Sequence, residues 1–115
     1  MPPKYQVLFW STEEGVKPVA RWMLTLEQKD RVYIGGLLRD LANDGPFCRP
    51  KCFKHLEGPL WEIRDLRSPG PGYRVYFGFD GRIVCLVVNS GDKHSQARDI
   101  ELAKKRLKIK ERDLK

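Results

Sequence analysis

The chain has 115 residues, 41% of them hydrophobic, and a formal net charge of +7. That length suits one domain over residues 1–115, able to bury roughly two-thirds of its unfolded surface without disulfide or metal staples. No apolar run approaches the roughly 18 residues of a membrane span, and the start MPPKYQVLFW lacks an apolar signal core with a small-residue cleavage site, so no membrane partner and a cytoplasmic location are expected.

Tyr5 to Trp10 is rich in β-formers and predicts a first strand. Val19, Trp22, Met23 and Leu26 then fall at i, i+3, i+4, i+7, one face of an amphipathic helix. Ile34, Leu37, Leu38 and Leu41 mark a second helix, with Thr25 and Gln28 placed to form a capping box at its start. Gly35 and Gly36 weaken its middle unless they admit another backbone. Asn43-Asp44-Gly45-Pro46 ends it, and the two helices are expected to form a hairpin.

Pro46 to Pro59 reads as irregular, with a basic cluster of Arg49, Lys51, Lys54 and His55. The cysteines, Cys48, Cys52 and Cys85, are an odd count and too few for a disulfide framework. Cys85 lies in an apolar strand and reads as a small core residue. Cys48, Cys52 and His55 have ligand-like spacing, but a fourth ligand would have to be His94 or an unpaired carboxylate. There is no second CxxC pair, so no metal is expected.

Strands are expected at Leu60–Leu66, Tyr73–Phe79 and Arg82–Val88. Pro69-Gly70-Pro71-Gly72 separates the first two, and Asp80-Gly81 is a hairpin turn between the last two. A final helix starts near Gln96 and presents Ile100, Ala103 and Leu107 on one side. Lys104, Lys105, Arg106, Lys108 and Lys110 crowd its end, where cations suit the helix dipole.

Strand parity divides the sheet residues into two faces. Tyr73, Val75, Phe77 and Phe79 share the face expected to be buried, and Trp61 and Ile63 share a face in the strand before. Antiparallel pairing would gather Glu62, Arg64, Arg74 and Tyr76 on the opposite, exposed surface. By itself that surface reads equally as a solvated face with a Glu–Arg pair of little energetic weight. The loop Asn89 to Ser95 adds a second observation beside it. Its helix N-terminal amides, with Ser95 as cap, would suit a phosphate. Lys93 adds a cation, and His94 adds a group that titrates near neutral pH. Residues 1–44 sum to zero charge, so the whole excess lies in residues 45–115 with the arginine surface. A polyanion, with RNA first, is the expected partner.

The runs LWEIR, PGYRVYF and GDKHSQARDIELA resemble the RelE/ParE toxin superfamily, and most closely its HigB-like (phage Gp49-like) addiction-module killer proteins. Glu62, Arg64, Gly72, Tyr73, Arg74, Tyr76, Gly91, Asp92, Lys93, Gln96, Asp99 and Ile100 fit that branch's pattern. FKHLEG resembles its basic strand before the E-L-R strand. The likeness covers nearly the whole chain, with specific motifs only from Lys54 to Ala103.

The resemblance implies an α+β fold, with an N-terminal helical hairpin packed on one side of a small twisted, mostly antiparallel sheet and a C-terminal helix. It implies the toxin of a type II toxin–antitoxin system that cleaves messenger RNA, commonly on the ribosome, with no metal or other cofactor. It also implies a helix-turn-helix antitoxin as partner, with operator DNA contacted only through the complex of the two. On that basis Arg64 and Arg74 would hold the scissile phosphate. Lys93 would stabilise the developing charge or donate a proton, and Tyr76 would stack on a base or orient the 2′-hydroxyl. Lys51, Lys54, Arg67, Gln96 and Arg98 would contact RNA. His94 departs from the small polar residue usual there, so it is either an added acid/base group or an exposed side chain. The tyrosine that several RelE toxins use near the last helix is missing. ParE-like relatives, which bind gyrase without nuclease chemistry, and a non-catalytic basic RNA-binding module are the competing readings.

Overall fold

The computed structural model describes residues 3–81 and 84–113. The elements run β1 (Gln6–Phe9), α1 (Pro18–Leu24), α2 (Gln28–Asp44), β2 (Phe53–Glu57), β3 (Leu60–Arg64), β4 (Arg74–Asp80), β5 (Val84–Gly91) and α3 (Gln96–Asp113). Arg82, the expected first residue of the last strand, lies outside the described residues, as does the side chain of Lys110. The strands form one sheet in the order β1-β5-β4-β3-β2. Only the β1–β5 pair is parallel. The architecture is therefore α+β with a mostly antiparallel sheet, as the resemblance implies.

Each helix has a local cause. Pro18 opens α1, where its missing N–H is not needed. The expected capping box does not form: Thr25 instead closes α1, its hydroxyl donating to the Trp22 carbonyl at 2.6 Å, and α2 has no side-chain cap at Glu27. Helix α2 stops at Gly45, whose φ of 88° only glycine adopts freely and whose N–H donates to the Leu41 carbonyl. Gly35 and Gly36 lie inside α2 without admitting another backbone: a Cβ at Gly35 would meet nothing within 4 Å. Gly35→Ala should therefore stabilise the protein by roughly 0.5–1 kcal/mol, read as a higher denaturation midpoint in urea at an unchanged slope.

The sheet is covered on both faces. Val19, Ile34, Leu37, Leu38 and Leu41 of α1 and α2 pack on Phe53, Ile63, Val75, Phe77, Cys85 and Val87. On the other face Ala103 and Leu107 of α3 pack on Leu60, Tyr76, Leu86 and Val88. Gly78 admits Leu107, because a Cβ there would lie 2.6 Å from its Cδ2. Each large apolar side chain fully buried this way contributes about 1.5–3 kcal/mol.

Two expectations change here. The Pro46–Pro59 segment is not wholly irregular, since β2 pairs antiparallel with β3 and places Lys54 opposite Glu62. The Glu62, Arg64, Arg74 and Tyr76 face is not open either. Helix α3 lies over it, so Glu62 and Tyr76 are both 0% exposed while the two arginines remain partly accessible at its end.

Candidate nucleic-acid interface

The β3–β4 register puts Arg64 directly opposite Arg74 and Glu62 directly opposite Tyr76. Period-two alternation sends all four to one side of the sheet. Two guanidinium groups facing each other across strands repel, and Glu62 answers that repulsion. Its Oε1 accepts from Arg64 Nε at 2.5 Å and lies 3.9 Å from Arg74 Nε, too far for a hydrogen bond. Its Oε2 accepts from Gln96 Nε2 at 2.6 Å. Arg74 also donates through Nη1 to the carbonyls of Gly72 and Tyr73, at 3.0 and 3.2 Å. Its Nε is buried and, among the described residues, has no hydrogen-bond partner.

Beside the arginines lies a polar cleft of about 460 Å³ whose walls include Asp65, Arg67, Gly72, Arg74 and Lys93. Lys93 is exposed, and its stem lies against Gly72, where a Cβ would come within 3.1 Å of Lys93 Cδ. Gly72 has a φ of 65°, so both its conformation and its lack of a side chain are used. Arg64 and Arg74 share the carboxylate of Glu62, and Asp65 of the adjoining cleft is paired with Arg67, so Lys93 adds a further positive charge at this end of the sheet.

The loop after β5 is built by three polar side chains. Asp92 Oδ1 accepts the N–H groups of His94 at 2.8 Å and Ser95 at 3.2 Å. Ser95 Oγ donates to Asp99 Oδ2 in the first turn of α3. Asn89 Nδ2 donates to the Asp99 carbonyl at 2.8 Å. A Cβ at Gly91 would collide with the Asp99 carboxylate, which explains the glycine of the GDK run. The capping differs from the expectation: Asp92 caps the turn before α3, while Ser95 Oγ accepts from the Asp92 N–H at 3.3 Å and is directed at Asp99.

The remaining expected residues divide by location. Tyr76 cannot stack on a base: it is sealed beneath α3, and among the described residues its hydroxyl has no hydrogen-bond partner. Burial first, then the charges of Glu62 and Asp99, raise its pKa well above the ordinary tyrosine value. His94 and Arg98 are exposed at the start of α3, and Lys54 is half-buried on β2. Lys51 is exposed and lines a different cleft with Tyr33, Arg49 and Arg67.

Arg67 stays 30% exposed at the cleft but its guanidinium is committed to carboxylates of the protein itself. It donates to both Asp65 oxygens at 2.9 Å and pairs with Asp30 of α2 at 2.9 Å. Its guanidinium also lies 4.2 Å from the centre of the Tyr33 ring. The hydrogen bonds it donates to Asp65 raise its pKa above the usual arginine value. Gln96 likewise directs its amide N–H at Glu62. Residue spacing had no signal for the Arg67 cluster, because Asp30 stands on a distant helix. The Arg106 contact to Trp10, 4.6 Å from the ring centre, was equally silent.

The histidine and cysteines of the ligand-like run take up separate contacts. His55 Nε2 is bonded to the Gly58 carbonyl at 2.7 Å, Cys48 is exposed, and Cys52 is buried in the core. Among the described residues, no group of three or more His, Cys, Asp or Glu side chains is placed to hold a metal ion. No described helix is long and apolar enough to cross a membrane.

A five-stranded sheet between a helical pair and a terminal helix, with arginines at its open end, defines a small α+β protein compatible with a RelE-like fold. Residues 21–108 match the family described as Phage derived protein Gp49-like (DUF891). The chain belongs to that family, a RelE/HigB-type toxin family associated with toxin–antitoxin systems, and membership implies an antitoxin partner. No curated protein matches the chain.

Proposed function

We propose that this protein is the toxin of a type II toxin–antitoxin module and acts as a metal-independent messenger-RNA endoribonuclease, working on the ribosome and neutralised by a helix-turn-helix antitoxin. The observation that carries this reading is the pairing of Arg64 and Arg74 across β3 and β4, next to the cleft that Lys93 lines. A guanidinium grips two phosphate oxygens at once, which suits a phosphodiester better than an isolated charge does.

In the proposed reaction the 2′-hydroxyl of one nucleotide attacks its own 3′-phosphorus, and the P–O5′ bond breaks. The products are a 2′,3′-cyclic phosphate and a 5′-hydroxyl. One proton leaves the 2′-oxygen and one reaches the departing 5′-oxygen. Arg64 and Arg74 would stabilise the charge that grows on the phosphoryl oxygens, usually the largest catalytic contribution. Lys93 would share that role or protonate the 5′-oxygen, and the exposed His94 next to it is the second acid/base candidate. Lys51, Lys54 and Arg98 would add backbone contacts that raise affinity without sequence choice.

Purified protein incubated with messenger RNA, with and without ribosomes, tests the proposal. The expected result is RNA fragments ending in 2′,3′-cyclic phosphate, whose cut positions do not move as salt is raised. Intact RNA together with gyrase-dependent DNA breaks would instead establish the ParE-like activity and sink the nuclease.

A further inference from the structure

We propose that Glu62 is a positioning residue that sets the two phosphate-binding arginines and ties them to the helix following the Lys93 loop; this rests on the nuclease reading above. Glu62 is 0% exposed, so it touches no RNA and takes no proton from a substrate. Both of its oxygens are engaged, one by Arg64 Nε at 2.5 Å and the other by Gln96 Nε2 at 2.6 Å. A buried charge pair rarely adds net stability over an apolar pair of the same shape. The reason for a carboxylate in this place is therefore geometric.

The geometry is specific. Glu62 engages Arg64 only through Nε, and among the described residues no hydrogen bond occupies either terminal nitrogen of that guanidinium. The forked end that matches a phosphate stays available, and its direction is fixed by the bond behind it. Arg74 has its Nε unpartnered and 3.9 Å from the same Glu62 oxygen. One carboxylate thus sits behind both guanidinium groups and spaces them. Gln96 is the first residue of α3, so the same carboxylate also anchors the helix that begins three residues after Lys93. Arg64, Arg74 and α3 share one internal support, and removing it loosens all three.

Glu62→Gln in the full chain is the test. It keeps the shape and an acceptor oxygen while removing the charge. A displacement of this kind should lower kcat for RNA cleavage about 10- to 100-fold, with KM changed less than about threefold because the cations remain. In a ¹⁵N–¹H spectrum of the protein without RNA, the Arg64 Nε–H signal should exchange with water faster than in the unsubstituted protein. Gln96→Ala should act in the same direction more weakly, and it carries the test if Glu62→Gln does not fold. Unchanged kcat, or unchanged Nε–H exchange, in the folded variant overturns the proposal. If the unsubstituted protein leaves RNA intact with ribosomes present, the nuclease reading fails, while Nε–H exchange still decides whether Glu62 positions Arg64.

Discussion

Arg64→Ala is expected to reduce RNA cleavage by about 10²–10³-fold, the usual cost of removing one preorganised donor from a site of developing charge. Arg64 has the larger effect of the two arginines because its side chain is 35% exposed against 14% for Arg74, and Glu62 already fixes its direction. The alanine variant also leaves Glu62 with one cation fewer, so some stability is lost with the activity. Arg64→Lys separates the two effects. It returns a positive charge beside Glu62 but not the two-pronged grip on phosphate. It should restore most of the melting temperature and recover less than about a tenth of the lost rate, since bidentate geometry is what a point charge cannot supply. Lys93→Ala provides an independent check, because Lys93 is exposed and lies on Gly72 rather than in a packed core. It should lower cleavage without moving the melting temperature. Counting cyclic-phosphate ends over time measures all three variants. Arg64→Ala cleaving at the unsubstituted rate would remove the arginine pair from the mechanism.

That the arginine pair could be read from the chain at all follows from strand geometry. Side chains in a strand alternate with period two, so Arg64 and Glu62, or Arg74 and Tyr76, must share a face wherever the strands lie. The paired register Glu62–Tyr76 and Arg64–Arg74 then needs only that β3 and β4 pair antiparallel, as they do. What parity cannot say is whether that face is covered. The stripe Ile100, Ala103 and Leu107 marked an apolar side of α3, but its docking place depends on Gly78 and on the far side of β5. This is tertiary information, and it converts Tyr76 from an expected base-stacking residue into core. The same limit hid the Asp30 partner of Arg67 and the Glu62 partner of Gln96, which stand on elements distant in the chain. β2 was harder to see for a local reason. It is a short edge strand behind Pro50, with a register shift between His55 and Glu57, so its alternation is interrupted.

Arg67→Ala is expected to cost about 3 kcal/mol of stability, the low end for breaking a buried ion pair because the guanidinium is 30% exposed. The loss should be largest near neutral pH and shrink as pH falls below about 4. Asp65 is 3% exposed. Burial by itself would raise its pKa, but the hydrogen bonds and charge of Arg67 outweigh burial and hold it below the ordinary carboxylate value. A carboxyl lowered on folding contributes stability that is fully present above its unfolded pKa of about 4 and is lost as pH falls through the folded value. Without Arg67 the lowering is lost and burial pushes the folded pKa of Asp65 up, so the charged carboxylate destabilises the variant at neutral pH and protonation relieves that cost as pH falls. Asp30 loses the same partner on α2, so the link between that helix and the 66–72 loop opens together with it. Because Arg67 also walls the cleft beside Arg74 and Lys93, the variant should lose cleavage as it loses stability. Adding Asp65→Asn removes the stranded charge and should recover roughly half of the lost stability, since an unpaired buried charge makes up much of the cost of breaking such a pair. Urea denaturation of the single and double variants across pH 3–7 measures each quantity. A stability loss that stays the same size from pH 7 down to pH 3 would mean that Arg67 does not govern Asp65.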